Sequence, residues 1–172
     1  MRVKNPMTVN ETRRRVTLGI VIAVMVLIFC FSAQEGDDSA KLSAGLTQWL
    51  LSKLMPGYSD LPDDMKLAAL KRFGFWVRKA AHFTEYALLG AALTTHLHYV
   101  IARRIVPISW GIASLYAMTD ELHQMFVGGQ GPAVRDVCID SAGALTGALV
   151  GMGIILLWHK HKRNRLAGDG SS

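Results

Sequence analysis

Cysteine is nearly absent: of 172 residues only 2 are cysteines, Cys30 and Cys138. Both lie inside apolar stretches, so no disulfide framework or thiolate metal site can be built from them, and both are expected to be helix-packing residues. Ligand spacing of the HExxH kind is missing, as is any internal repeat, and the one low-complexity stretch is the polar tail AGDGSS. Basic residues avoid the interiors of the apolar runs. They gather at the edges instead, as Arg13, Arg14 and Arg15, as Arg103 and Arg104, and across 160–165, where they would anchor helices and face anionic lipid. The formal charge of +6 therefore points to a membrane surface and not to nucleic acid. Apolar side chains are abundant, at 51% of the chain. With a mean hydropathy of +0.25, that is more than most single soluble domains carry.

Four segments approach the ~20 apolar residues that a membrane span needs. They are residues 16–31, 75–100, 105–126 and 134–158. The first, VTLGIVIAVMVLIFCF, is uncharged and follows the three arginines. A retained helix is expected there, with a cleaved leader as the alternative; Phe29 ahead of Cys30 argues against a lipoprotein site. The tight turn at 102–104 makes the second and third spans antiparallel neighbours. Between the first and second spans, residues 39–73 include SAKLSAGLTQWLLSKLM, whose Leu42, Leu46, Trp49, Leu50 and Leu54 recur at amphipathic-helix spacing. Pro56 and Gly57 end that helix. Pro62, Asp63 and Asp64 start a second short one through Phe73, and both are expected on the membrane surface.

The chain is thus expected to be all-α, an integral membrane bundle of four transmembrane helices with an amphipathic helical segment between the first and second. A basic N-terminus (1–15) and a basic tail (159–172) flank the membrane domain (16–158). Eleven Lys and Arg lie in the N-terminus, the 103–104 turn and the tail, against eight in the remaining segments, which favours both termini in the cytoplasm. Arg78 and Lys79 break that pattern at an outer helix end, so another task is expected of them.

With this topology, Lys79, His82 and Glu85 begin the second span on the outside. Asp120, Glu121, His123 and Gln124 end the third there, and Arg135, Asp136 and Asp140 begin the fourth. Each acid or base placed in hydrocarbon costs ~2.5–3.5 kcal/mol on insertion scales, so mutual pairing inside the bundle is the physical remedy. At ~100° per residue, Lys79, His82 and Tyr86 share a helix face with Glu85 beside it, and Asp120, His123 and Gln124 share another. Asp136 and Asp140 continue the stripe of Gly143, Gly147 and Gly151, whose small-xxx-small steps mark a helix packed against its neighbours. An outward-facing polar pocket follows. Two plainer alternatives are residues reaching into headgroups, as assumed for His96, His98, Trp110, Trp158, His159 and His161, and an ion-pair lattice that only holds the bundle together.

Four blocks carry a resemblance: FSAQ at 31–34, RKAAHFTEYALLG at 78–90, DELHQMFV at 120–127 and RDVCIDSAGALTG at 135–147. They are similar, in order and spacing, to the signature blocks of the VanZ-like family of bacterial membrane proteins. The resemblance implies a multi-pass protein of the bacterial plasma membrane whose family namesake lowers susceptibility to the glycopeptide teicoplanin. It places Lys79, His82, Glu85, Tyr86, Asp120, Glu121, His123, Gln124, Asp136 and Gly143 on motif positions, with Gln34 in the first block. In relatives a proline, a glycine and an arginine usually follow the position of Val127. Here Gly128, Gly129 and Gln130 follow, and Arg135 is the nearest substitute for the missing charge.

Two classes of function remain open at this point. In an enzyme, His82, Glu85, Asp120, Glu121, His123, Asp136 and Asp140 would supply acid or base groups. Gln34, Lys79, Tyr86, Gln124 and Arg135 would bind ligand, and a lipid-linked cell-wall intermediate with phosphates on Lys79 and Arg135 would be the natural substrate. No cofactor is implied, although His82, Glu85, His123, Asp120 and Asp140 are chemically suited to a divalent metal. In the other class the protein binds or sequesters a membrane lipid or a glycopeptide without turnover. A stand-alone transporter would need a homo-oligomer.

Overall fold

The structure is a computed structural model that describes residues 6–32, 36–128 and 134–168. The described chain is helical throughout: α1 (Pro6–Ser32), α2 (Gly36–Leu54), a single 3-10 turn (Tyr58–Asp60), α3 (Asp63–His98), α4 (Ile105–Gly128) and α5 (Val134–Gly168). Each break has a local cause. Past Leu54, Pro56 lacks a backbone N–H, and Gly57 turns the chain through left-handed backbone (φ 75). α3 starts directly after Pro62, with Asp63 and Asp64 in its first turn, where carboxylates complement the helix dipole. The link between α3 and α4 turns on Arg104, which takes a left-handed φ of 57.

Two boundaries and two burial assignments differ from the sequence expectation. The short helix expected to end at Phe73 does not end; α3 runs unbroken for 36 residues, because nothing after Pro62 interrupts its hydrogen bonding. Gly74 is tolerated within it and faces the Thr47 hydroxyl of α2, 3.7 Å from where a Cβ would stand. α5 continues past Trp158 to Gly168, so the basic tail is an extension of the last helix. On α2 the apolar stripe is not what packs inward. Thr47 and Leu51 are buried, while Leu46, Trp49 and Leu54 are exposed. Both cysteines are exposed as well, so neither is the packing residue expected from its apolar surroundings.

The bundle is organised by α3 against α5, the most extensive helix pair. The two run parallel: Phe83 faces Gly143, Ala87 faces Gly147 and Ala91 faces Gly151. A methyl group on Gly143 or Gly147 would overlap the carbonyl of Phe83 or Ala87, and one on Gly90 would overlap the carbonyl of Ala144. The backbones touch, as small-residue stripes permit. α4 joins them through Ala113 and Ala117, and α1 covers the assembly with Val21 and Ile28, around a core of Tyr86, Leu89, Leu93 and Ala144. Thr17 of α1 meets His96 near the end of α3, and Ser32 meets Gln124 near the end of α4. α1 and α4 therefore run one way, α3 and α5 the other.

Large apolar side chains point away from this small core. Ile108, Ile112, Leu115, Met118 and Leu122 form an exposed ridge along α4, and α1 exposes Val16, Ile20, Ile22, Val26, Leu27 and Phe31. Patches of this size are rare on soluble monomers. Two helical segments, Asn10–Ser32 and Val134–Leu166, are long and apolar enough to cross a membrane. α3 and α4 fall short by composition because their inward faces carry histidine, threonine and acidic residues.

Two glycine variants test the backbone contact. Gly147→Ala must push α5 off Ala87 and is expected to cost at least about 2 kcal/mol of stability, in the range for overpacking. Gly153→Ala, with nothing within 4 Å of the added carbon, is expected to stay within about 0.5 kcal/mol of the parent. Thermal unfolding in detergent separates them.

Candidate polar site at one end of the bundle

Four residues before Phe83 on α3 stands Lys79, and seven before Gly143 on α5 stands Asp136. The parallel contact brings them together, and the Lys79 ammonium forms an ion pair with the Asp136 carboxylate. Arg135 approaches the same carboxylate at 3.9 Å but lies outward, with its guanidinium 5.1 Å from the Phe75 ring centroid. Lys79 is 5.5 Å from that ring. Phe75 thus packs beside both cations at the mouth of the site.

One turn deeper on α3, His82 Nδ1 lies 3.9 Å from Glu85 Oε2. Beneath them sit two carboxylates that are almost fully buried, Asp120 of α4 (5% exposed) and Asp140 of α5 (6%). Asp120 is within electrostatic reach of His82, Glu85, Tyr86, Tyr116 and Asp140. Asp140 also feels Asp136, Lys79 and Glu121. Gln124 donates from Nε2 to Ser32 Oγ at 3.0 Å and, at 3.4 Å, to Asp120 Oδ2. The Tyr116 hydroxyl donates to the Met25 carbonyl at 2.8 Å, and the His123 ring lies 4.9 Å from that of Phe29. Residues from α1, α3, α4 and α5 thus meet in one layer.

Four buried atoms of this layer have no hydrogen-bond partner within the protein, His82 Nδ1, His123 Nδ1, Asp136 Oδ1 and Asp140 Oδ1, while the buried Tyr86 hydroxyl lies against Asp120. Buried polar groups left unpartnered cost roughly 1–3 kcal/mol each unless water or a ligand meets them. Among the described residues no set of three or more His, Cys, Asp or Glu side chains converges as metal ligands.

Of the site residues read from sequence, Lys79, His82, Glu85, Tyr86, Asp120, Glu121, His123, Gln124, Arg135, Asp136 and Asp140 all fall at this end of the bundle. Arg135 lies at its rim, 68% exposed at the side chain. Gln34 and Gln130 lie outside the described residues. Several contacts escaped the sequence. Trp110 donates from Nε1 to Ser141 Oγ at 2.9 Å, and Ser141 shares a further bond with Ser114 at 2.8 Å, tying α4 to α5 beside Asp140. At the opposite end Thr17 bonds to His96 at 3.0 Å, and His98 faces His159 at 3.2 Å between their Nε2 atoms. His96, His98, Trp110 and His159 therefore join helices, and are not merely the headgroup-reaching residues assumed for them. Hydroxyl and imidazole spacing along one helix gives no sign of such partners.

Compared with known proteins, the chain is matched over residues 17–158 by the family model described as VanZ/LLP1. No curated protein and no solved structure matches it.

Two carboxylate variants should move stability in different directions. Asp136→Asn leaves Lys79 largely buried without its counter-charge and is expected to lower stability by about 3 kcal/mol, the low end for breaking a buried pair. Asp140→Asn removes a buried acid whose Oδ1 has no partner, and is expected to be neutral or stabilising by about 1 kcal/mol. Circular dichroism melts of both proteins in one detergent check the order, and Asp140→Asn as the more damaging change would contradict it.

Proposed function

The chain belongs to the VanZ/LLP1 family, and from that premise we propose that it is a multi-pass protein of the bacterial plasma membrane that handles a cell-envelope component in a polar pocket opening to the outside, so altering glycopeptide susceptibility. In this proposal α1, α3, α4 and α5 all cross the membrane, with both termini in the cytoplasm. The exposed apolar ridge of α4 and the outward Leu88 of α3 support a lipid-facing exterior for the two helices whose composition is diluted by inward polar residues. α2 lies along the outer surface, its Leu46, Trp49 and Leu54 free to enter the headgroup region. The basic clusters of 13–15, 103–104 and 160–165 then share one side.

One observation carries the proposal: ionisable side chains from separate helices converge beneath a shell of outward apolar residues, at the end of the bundle opposite the basic clusters. Charged groups inside a membrane bundle are costly to insert, so acids beyond those paired with a cation support a functional site. His82, Glu85, Asp120, Glu121, His123, Asp136 and Asp140 form the inner group, with Lys79, Tyr86, Gln124 and Arg135 around them. Whether the component is turned over or held, these residues contact it.

The test is a susceptibility assay in a glycopeptide-sensitive bacterium expressing the chain. Wild type is expected to raise the inhibitory concentration of teicoplanin severalfold. Glu85→Gln and Asp120→Asn are expected to lose at least three quarters of that gain at equal abundance in the membrane fraction. A graded loss fits a binder, and an all-or-none loss fits an enzyme. Variants that keep the full effect would overturn the pocket as the seat of function.

A further inference from the structure

The distribution of charge in the polar layer says what it takes in. Among the described residues, the cation inside the layer is Lys79, already the partner of Asp136; Arg135 stands at the exposed rim, and Arg78 reaches His82 from outside. Against these stand the carboxylates of Glu85, Asp120 and Asp140. Glu85 lies 3.9 Å from His82 Nδ1 and within electrostatic reach of Asp120. Asp120 receives the neutral amide of Gln124, and Asp140 Oδ1 has no partner. The flanking segments do not redress the balance, because no Lys or Arg occurs in 31–40 or 121–134. The interior of the site is rich in acceptors and poor in positive charge.

An independent observation points the same way. Tyr86 is fully buried with its hydroxyl against Asp120, while the deeply buried Asp140 keeps an Oδ1 with no hydrogen-bond partner within the protein. His82 Nδ1 and His123 Nδ1 are buried and equally unpartnered. Carboxylate, hydroxyl and neutral imidazole oxygens or nitrogens can all accept hydrogen bonds, and an alkylammonium group offers three donors together with the missing charge. An anion meets the reverse of this. Its phosphate would have to displace Asp136 from Lys79 and then lie next to Asp140 and Asp120.

Resting on the outward-pocket reading above, we infer that this site binds a primary ammonium group, held by Asp140, Asp120 and Tyr86, and not the phosphate first expected on Lys79 and Arg135. The amine can come from a lipid headgroup of the outer leaflet or from a soluble envelope component. Lys79 and Asp136 position α3 against α5 around it.

The experiment measures tryptophan-monitored thermal unfolding of the full chain in a neutral maltoside detergent, titrated with ethanolamine or with inorganic phosphate at matched ionic strength. Ethanolamine is expected to raise the midpoint saturably by several degrees, and phosphate to leave it unchanged. Asp140→Asn and Asp120→Asn are each expected to raise the half-saturating ethanolamine concentration at least tenfold; Glu85→Gln serves if either fails to fold. Arg163→Gln, at the other end of the bundle, should match wild type. Nanodiscs of phosphatidylethanolamine and of phosphatidylglycerol separate the sources. A stabilisation specific to phosphatidylethanolamine assigns the amine to lipid, and a response to free ethanolamine alone assigns it to a soluble molecule. Phosphate stabilising in place of ethanolamine, a shift unaltered by the acid variants, or no shift with either amine would overturn the inference. Because binding is read on purified protein, such a result is distinct from a null susceptibility phenotype.

Discussion

Everything at the polar end follows from two helix backbones in contact. Gly143 and Gly147 of α5 leave no room for a side chain against the carbonyls of Phe83 and Ala87, and Gly90 leaves none against Ala144. Close approach of this kind fixes register, since sliding either helix by one residue would drive a side chain into backbone. It therefore also fixes which side chains meet beyond the glycines. Lys79 meets Asp136 because the contact is parallel and tight, and α4 brings its acids in by packing Ala113 and Ala117 into the same core. In lipid, where apolar burial between helices gains little, packing of small residues and polar pairing supply the cohesion.

The burial pattern is inverted in a way that suits a membrane. The buried set is small, with alanines and glycines at the helix contacts beside Val21, Ile28, Tyr86, Leu89 and Leu93, while most leucine, isoleucine, methionine and tryptophan side chains face outward. That inversion explains why a protein with carboxylates at 5% and 6% exposure can fold around them. The interior was already reserved for polar groups, and the costs of Asp120 and Asp140 are set against a low-dielectric shell that also strengthens any interaction with a ligand of opposite charge. Within that layer Lys79 is paired with Asp136, while Asp140 keeps an oxygen with no hydrogen-bond partner within the protein.

Much of this was legible from sequence, for identifiable reasons. The glycine stripe repeats every four residues and so announces a helix interface, and the acids that continue it could be placed inward on that ground alone. The family resemblance rested on four blocks in order, and the family model covers the same stretch of chain. Partner choice was not legible. Which residue of α3 faces Asp136 depends on whether the helices run parallel and in what register, and neither is written in the periodicity of either helix. The same holds for His98 with His159 and for Trp110 with Ser141, where side chains distant in sequence meet only because the bundle closes. Hydropathy misjudged the cysteines and the apolar stripe of α2, since in a membrane protein an apolar position is as apt to face lipid as a neighbour. The second surface helix was expected to run through Phe73 and the next span to start near Phe75, but no residue there breaks the helical hydrogen bonding, and the two are one helix.

The central claim is that Lys79 and Asp136 meet inside the bundle and set the register of the site. A double-mutant cycle on unfolding free energy, with Lys79→Met, Asp136→Leu and both together, measures it directly. The account predicts that the double variant is more stable than the sum of the single losses implies, with a coupling of about 2 kcal/mol. Losses that add to within about 0.5 kcal/mol would show that the two charges do not touch, and would contradict the account.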